Sequence, residues 1–234
     1  MTVSQNVSSV ISSVAAAAEA SGRSPKDVCI IAATKMNDAS RVQEAIAAGI
    51  EVCGENRVQE MLEKLEQKAY EGARLHFIGH LQKNKVRNVV GAVELIHSID
   101  SLALLQAVSS RAESLGIVQD VLLEVNIASE ASKSGLAPSE LFSVLDSAQS
   151  LAGVHIRGLM AIPPAAPSGD ENSLFFAQMQ QLFVDIGAKK YDNSNMDFLS
   201  MGMSNDFIPA IEHGSNMVRI GTAIFGPRNY GPAI

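Results

Sequence analysis

The chain has 234 residues, of which 47% are hydrophobic and 18% charged, and this composition excludes disordered and fibrous proteins. The length fits one globular domain over 1–234, and a net charge of −7 without a basic stripe excludes nucleic acid as an expected partner. Two cysteines are too few for a disulfide framework, and we find no signal segment or apolar run that predicts a membrane contact. We therefore expect a cytoplasmic protein, and the lack of an exposed apolar stripe favours a monomer.

The first predicted element is a helix over 3–20. Apolar residues recur there at helical spacing, and Thr2 with Gln5 has the pattern of a capping box at the start of the helix. Gly22 is expected to end it, because glycine readily adopts the left-handed conformation that follows many helices.

After this helix, short apolar runs alternate with longer segments of helical period. The predicted strands are 28–34, 50–53, 75–79, 94–99, 119–126, 155–162, 197–201 and 217–220. The predicted helices between them lie near 39–48, 56–71, 83–91, 101–115, 138–148, 171–188 and 204–213. Strands that alternate with helices pair in parallel, and eight such units predict an α/β protein with a single (β/α)8 barrel and an extra N-terminal helix. The segment 163–173 is predicted to be a mobile surface loop.

Active residues of such barrels lie at the carboxyl ends of the strands, where Lys35 follows the first strand. An ammonium group at the end of an apolar strand is partly desolvated, and this favours the neutral amine that attacks an aldehyde to form an imine. The alternative is a lysine that simply reaches solvent from the end of a strand.

Strands seven and eight are followed by glycines with hydroxyl neighbours. Ser200, Met201 and Gly202 end strand seven, and Gly221 with Thr222 follows strand eight. Phosphate sites in these barrels are often built from these two loops, and glycine lets the backbone approach an anion closely. We therefore predict a phosphate site here, facing the same cavity as the Lys35 amine, although ordinary turn glycines are the alternative.

Two further polar residues lie near this predicted site. Arg219 on strand eight could contact the phosphate or reach across a cofactor ring, and the alternative is a structural salt bridge. Asn56 could donate to a cofactor oxygen or cap the following helix. A metal site is not expected, because His76 and His80 lie on a strand-to-loop segment without matching carboxylates.

At this point the sequence resembles a known family, the pyridoxal phosphate homeostasis proteins, in the fold group of the alanine racemase N-terminal barrel. The matching segments run in order across nearly the whole chain: AATK at 32–35, GENRVQE at 54–60, HFIGHLQKNK at 76–85, GLMAIPP at 158–164, LSMGMSNDF at 199–207 and VRIGTAIFG at 218–226.

The resemblance implies that Lys35 carries pyridoxal 5′-phosphate (PLP) as an internal aldimine. It also implies that Arg219 faces the pyridine nitrogen, that Asn56 contacts the ring side, and that the two glycine loops hold the phosphate. The expected cofactor-binding residues are Lys35, Asn56, Ser200, Met201, Gly202, Arg219, Gly221 and Thr222. No catalytic residue is assigned.

An arginine beside the ring nitrogen cannot accept its proton, so PLP there is a shallow electron sink. Alanine racemases share this feature but use a second base from a β domain, whereas this chain stops soon after strand eight. We expect a protein that binds PLP reversibly, buffers it and delivers it to apo-enzymes, with little or no turnover. The alternatives are a slow PLP-dependent amino-acid racemase and a class I aldolase-like barrel whose lysine forms an imine with its substrate.

Overall fold

A computed structural model describes residues 1–130, 133–164 and 172–227. Eight parallel strands form one closed barrel in chain order, and β1 pairs with β8 to close it. The strands are β1 (Cys29–Ala33), β2 (Val52–Glu55), β3 (Arg74–Phe77), β4 (Leu95–Ile99), β5 (Gln119–Val125), β6 (Val154–Ala161), β7 (Ser194–Met203) and β8 (Met217–Ile220). The predicted fold class is confirmed.

The helices in the described part of the chain are α1 (Val3–Ala20), α2 (Ala39–Ala47), α3 (Val58–Glu66), α4 (Val86–Val89), α5 (Leu102–Ser114), α6 (Leu141–Ala148), α7 (Ser173–Ala188), α8 (Phe207–Glu212) and α9 (Thr222–Phe225). Short 3-10 turns lie at Pro25–Asp27, Lys83–Lys85 and Pro138–Glu140. No helix of these described segments is both long and apolar enough to cross a bilayer. Most of the predicted loop 163–173 lies outside the described residues.

Helix α1 takes the place of a full eighth barrel helix. The capping box of Thr2 and Gln5 is present at its start, as predicted. Its buried valine face packs against α2, α8 and α9. Because α9 is only one turn long, α1 covers the outer wall beside the β8–β1 junction. The Asn6 side chain donates to the carbonyl of Ile224 at 2.9 Å and ties the two helices together.

Helix α3 is shorter than predicted, because its end is set by backbone hydrogen bonds that the apolar pattern does not reveal. Lys68 has a left-handed φ of 56°. The N–H of Ala69 donates to the carbonyl of Lys64, which is the bond that typically closes a helix after a left-handed residue. The helix therefore stops at Glu66 rather than near residue 71.

The interior of the barrel is filled by side chains rather than open. These inner residues are Ile31, Val52, Ile78, Leu95, Leu122, Met160 and Met217. A second and larger apolar layer lies between the strands and the surrounding helices. The two layers leave the carboxyl ends of the strands as the place where polar groups can converge.

Candidate functional site

Lys35 lies in a four-residue turn at the carboxyl end of β1. The Thr34 carbonyl accepts from the Asn37 N–H at 3.2 Å and closes the turn. Lys35 is its second residue and is half-buried, while Met36, the third, has a φ of 60°. Tight turns usually place glycine or asparagine at a position with positive φ, so Met36 is held there under strain.

The structure brings Lys35 and two of the predicted phosphate residues to one cavity of about 200 Å³. Lys35 lines it from the β1 side, and Gly221 with Thr222 lines it from the β8 side. These residues meet because β1 and β8 are paired in parallel, so their carboxyl ends reach the same edge of the barrel. Asp38 and Arg41 also line this cavity, which we call the Lys35 cavity.

Arg41 was not singled out in the sequence. It lies on α2, and its guanidinium donates to the carbonyl of Phe225 at the end of α9. Arg41 therefore adds a second cationic side chain to the Lys35 cavity. The sequence does not show that Arg41 lies at this cavity, because that position depends on how α2 packs beside β8.

The loops after β7 and β8 touch each other through Ser204, another residue that the sequence reasoning missed. Its Oγ accepts from the N–H groups of Gly221 and Ala223, each at 3.3 Å. The sequence could have pointed to Ser204 only through its position in the same serine- and glycine-containing segment as Gly202. The two loops thus form one cradle of N–H and O–H groups next to Lys35.

Gly202 supports this cradle from behind. Its φ is 92°, and an added Cβ would lie 2.6 Å from the Cβ of Ala210 on α8. Met201 beside it is fully buried in the outer apolar layer. Only the backbone of Met201 is therefore available to a ligand.

Ser200 and Arg219 lie deeper in the barrel than the cradle. Both are buried, and the Arg219 guanidinium donates to the Ser200 carbonyl at 2.8 Å, to the Ser200 Oγ at 2.6 Å and to the Ala161 carbonyl at 2.9 Å. Burial lowers the pKa of Arg219 to about 10, although the charges of Glu124 and Asp206 oppose this shift. The Ser200 hydroxyl is thus engaged with Arg219 rather than with Gly221.

A chain of buried histidines continues from Ser200 toward the amino ends of the strands. Ser200 Oγ, which accepts from Arg219, also forms a hydrogen bond with His97 Nδ1 at 3.0 Å. His97 Nε2 in turn forms a hydrogen bond with His76 Nδ1 at 3.1 Å, and the ring tautomers decide which nitrogen donates. Burial lowers the pKa of His76 to about 3 and that of His97 well below its usual range, so both rings are neutral.

The two buried histidines predict how the stability of the protein changes with pH. Both histidines have a folded-state pKa below the ordinary 6.5, so the unfolded chain binds more protons and stability is lost as the pH falls from 6.5 toward 3. In the His76→Gln variant, the slope of the unfolding free energy against pH between pH 6 and 4.5 should be smaller than in the parent by up to about 1.4 kcal/mol per pH unit. Urea unfolding of both proteins across this range measures it. An unchanged slope would show that His76 is not buried in its neutral form.

Asn56 lines a neighbouring cavity of about 240 Å³ together with Gly79, His80 and Glu124. Its side-chain oxygen is buried and has no hydrogen-bond partner among the described residues. The alternative that Asn56 caps α3 is wrong, since Arg57 is the N-cap residue and no side chain caps this helix. Buried polar atoms rarely lack a hydrogen-bond partner, so this oxygen is suited to accept a hydrogen bond from a bound ligand.

Glu124 is the acidic side chain among the described residues that line this second cavity. Burial raises its pKa, with a further increase from Asp100, while Arg219 and His80 lower it. Glu124 was not singled out in the sequence, and the closure of the barrel brings it close enough to Arg219 for the two charges to interact.

Residues 13–229 match the family described as alanine racemase, N-terminal domain, and the closed barrel with Lys35 at its mouth defines a protein of that class. The pyridoxal phosphate homeostasis protein of Pseudomonas aeruginosa is 39% identical over 98% of this chain and 97% of that protein. The protein of the same name from Aquifex aeolicus is 38% identical over 98% of this chain and its own full length.

A solved structure gives the same result. PipY of Synechococcus elongatus PCC7942, with PLP bound, is 32% identical with a TM-score of 0.82 over 96% of this chain and all of that one. The chain therefore belongs to the family of pyridoxal phosphate homeostasis proteins, and the resemblance seen in its sequence is confirmed.

Proposed function

We propose that this protein binds PLP as a Schiff base on Lys35 and serves PLP homeostasis in the cell. PLP supplies an amine-reactive aldehyde and a negatively charged phosphate when bound. The observation that carries the proposal is the single cavity lined by Lys35 on one side and by Gly221 and Thr222 on the other. An amine and a set of N–H and O–H donors around one cavity match these two groups.

Lys35 is the residue that would hold the aldehyde end. The unprotonated form of its Nζ would form a C=N bond to the aldehyde carbon, and the aldehyde oxygen would leave as water with the two amine protons. The reverse reaction with water releases the ligand. Reversible covalent attachment of this kind suits a protein that stores a reactive aldehyde.

The cradle is the part of the chain that would hold the phosphate. The N–H groups that donate to Ser204 Oγ, those of Gly221 and Ala223, can also donate to phosphate oxygens. The hydroxyl of Thr222 and the charge of Arg41 lie around the same cavity. Ser200 and Gly202 act through the position of Arg219 and the backbone of the cradle.

Arg219 supports a carrier rather than a catalyst. A guanidinium stays charged and accepts no proton, so it does not hold a ring nitrogen in the protonated form. Three hydrogen bonds to neutral oxygens hold its guanidinium in place. We propose little or no turnover, with delivery of PLP to apo-enzymes by a cytoplasmic monomer in which 1–234 act as one domain.

The proposal is tested by the absorption spectrum of the PLP-loaded protein before and after borohydride. Hydride reduces the C=N bond to a secondary amine, so the imine band should disappear and peptide mass mapping should find the added mass on Lys35. An adduct confined to another lysine, such as Lys133 in the second cavity, would overturn the assignment.

A racemase remains the second candidate, because the chain belongs to a family named after alanine racemase. A chiral assay with several amino acids and PLP-loaded protein separates the two functions. Conversion of an L-amino acid to its enantiomer at a steady rate, abolished in Lys35→Ala, would favour the racemase.

A further inference from the structure

A buried cluster of charged side chains lies directly behind the Lys35 turn. Lys64 on α3 is only 4% exposed, and its Nζ lies 3.3 Å from Glu55 Oε2 and 2.7 Å from Glu60 Oε1. Thr34 Oγ1 donates to Glu55 Oε1 at 3.1 Å and joins the cluster to β1. We refer to these side chains as the Glu55–Lys64–Glu60 cluster.

This cluster bonds to the peptide groups on both sides of Lys35. Lys64 Nζ donates to the Thr34 carbonyl at 2.7 Å, which belongs to the peptide bond that precedes Lys35. Glu60 Oε1 accepts from the N–H of Met36, which belongs to the peptide bond that follows Lys35. One ion pair therefore holds the backbone of Lys35 at two points.

The same contacts explain how Met36 keeps its positive φ of 60°. A non-glycine residue in this conformation persists only where its surroundings fix it. The Glu60 carboxylate fixes the Met36 N–H, and the Asn37 side chain donates to the Lys35 carbonyl at 3.0 Å. The cluster therefore helps to fix the backbone from which the Lys35 side chain extends.

A purely structural salt bridge is the simpler explanation, and the chemistry of burial argues against it. A buried ion pair adds little net stability, because the cost of removing both charges from water offsets their attraction. Its distinctive contribution is a fixed geometry. Burial raises the pKa of Glu55 to about 7, and Lys64 is the main influence that lowers it. Keeping the Glu55 carboxylate ionised therefore costs free energy.

We propose that Lys64 is a positioning residue that aims the Lys35 amine into its cavity by bonding, directly and through Glu60, to both peptide groups that flank it. This inference rests on the proposed function, in which Lys35 is the residue that forms the Schiff base. It assigns a role to the 54–60 segment of the sequence, whose two glutamates do not line the Lys35 cavity.

The test compares Lys64→Met and Glu60→Ala with Glu60→Gln, which keeps an oxygen acceptor for the Met36 N–H. PLP affinity from absorption titration should fall about tenfold or more in Lys64→Met and Glu60→Ala, and less than threefold in Glu60→Gln. Lys64→Met leaves the buried Glu55 and the half-buried Glu60 without a counter-charge, and this variant is at risk of not folding. Glu60→Ala tests the proposal in that case, because it removes no positive charge.

Amide hydrogen exchange in the protein without PLP gives a readout that does not depend on binding. The Met36 amide should exchange at least about tenfold faster in Glu60→Ala than in the parent, because its acceptor is gone. Ser109→Ala serves as the matched control, since it removes the hydrogen-bond acceptor of the Gly153 N–H at the opposite end of the barrel. It should change neither Met36 exchange nor PLP affinity.

The outcomes separate the two proposals. If Glu60→Ala binds PLP like Ser109→Ala and its Met36 amide exchanges at the parental rate, the positioning role is wrong. If the parent protein itself gives no borohydride adduct on Lys35, the proposed function is wrong, and the exchange rate of Met36 alone decides whether the cluster holds the turn.

Discussion

Lys35→Ala should show no imine absorption when PLP is added at a ratio of one PLP to one protein, and borohydride should leave no phosphopyridoxyl group at position 35. The reason is chemical, since the alanine has no amine to form the C=N bond. The apparent affinity for PLP should fall by about a hundredfold or more, because a covalent bond worth more than about 3 kcal/mol is lost. Spectroscopic titration and equilibrium dialysis measure the two effects.

Lys35→Arg is the matched control for this result. It keeps a positive charge in the cavity that also contains Arg41, Gly221 and Thr222, but a guanidinium does not form a stable imine. We expect no imine band, together with weaker, salt-sensitive PLP binding that exceeds that of Lys35→Ala. An imine band that survives in either variant would place the reactive amine elsewhere.

Gly202→Ala should have the largest effect on stability, lowering the unfolding free energy by about 2–5 kcal/mol. Two costs combine, because the φ of 92° disfavours any side chain and the new Cβ would lie 2.6 Å from the Ala210 Cβ. Relief of this contact would shift the cradle loop, so PLP affinity should also fall. Urea unfolding and absorption titration measure the two losses.

The two costs can be separated by controls. Gly22 has a φ of 72° and nothing within 4 Å of an added Cβ, so Gly22→Ala carries the conformational cost alone, about 1–2 kcal/mol. Ala210→Gly removes the clashing methyl, so its combination with Gly202→Ala should show a favourable coupling energy of about 1–3 kcal/mol. Strict additivity of the two substitutions would mean that contact with the Ala210 methyl is not the cause of the loss of stability.

The sequence predicted the eight strands because short, mainly apolar runs alternate along the chain with longer segments of helical period. It predicted α1 because a capping box and a one-sided valine pattern are local features. It predicted the convergence of Lys35 with Gly221 and Thr222 because a closed parallel barrel places all carboxyl strand ends on one face. These inferences need only neighbouring residues and one topological rule.

Other parts of the candidate site depend on contacts between distant elements. Ser204 matters because its loop touches the backbone after β8, and Arg41 matters because α2 lies beside α9. The links from Arg219 through Ser200 to His97 join β8, β7 and β4 across the barrel interior. No local pattern distinguishes these residues from ordinary serines, arginines and core histidines.

The amino-acid sequence alone determined the barrel fold, the family and the position of the lysine at the end of the first strand. Periodicity and motifs involve residues that are close in the sequence, so they can be recognised without the structure. Only the tertiary structure decided which charges surround that lysine. Lys64 and Glu60 are separated from it by a strand and a helix in sequence, yet both bond to the backbone on either side of it. The physical reason is that hydrogen bonds depend on distance and direction in space, which the closure of the barrel fixes.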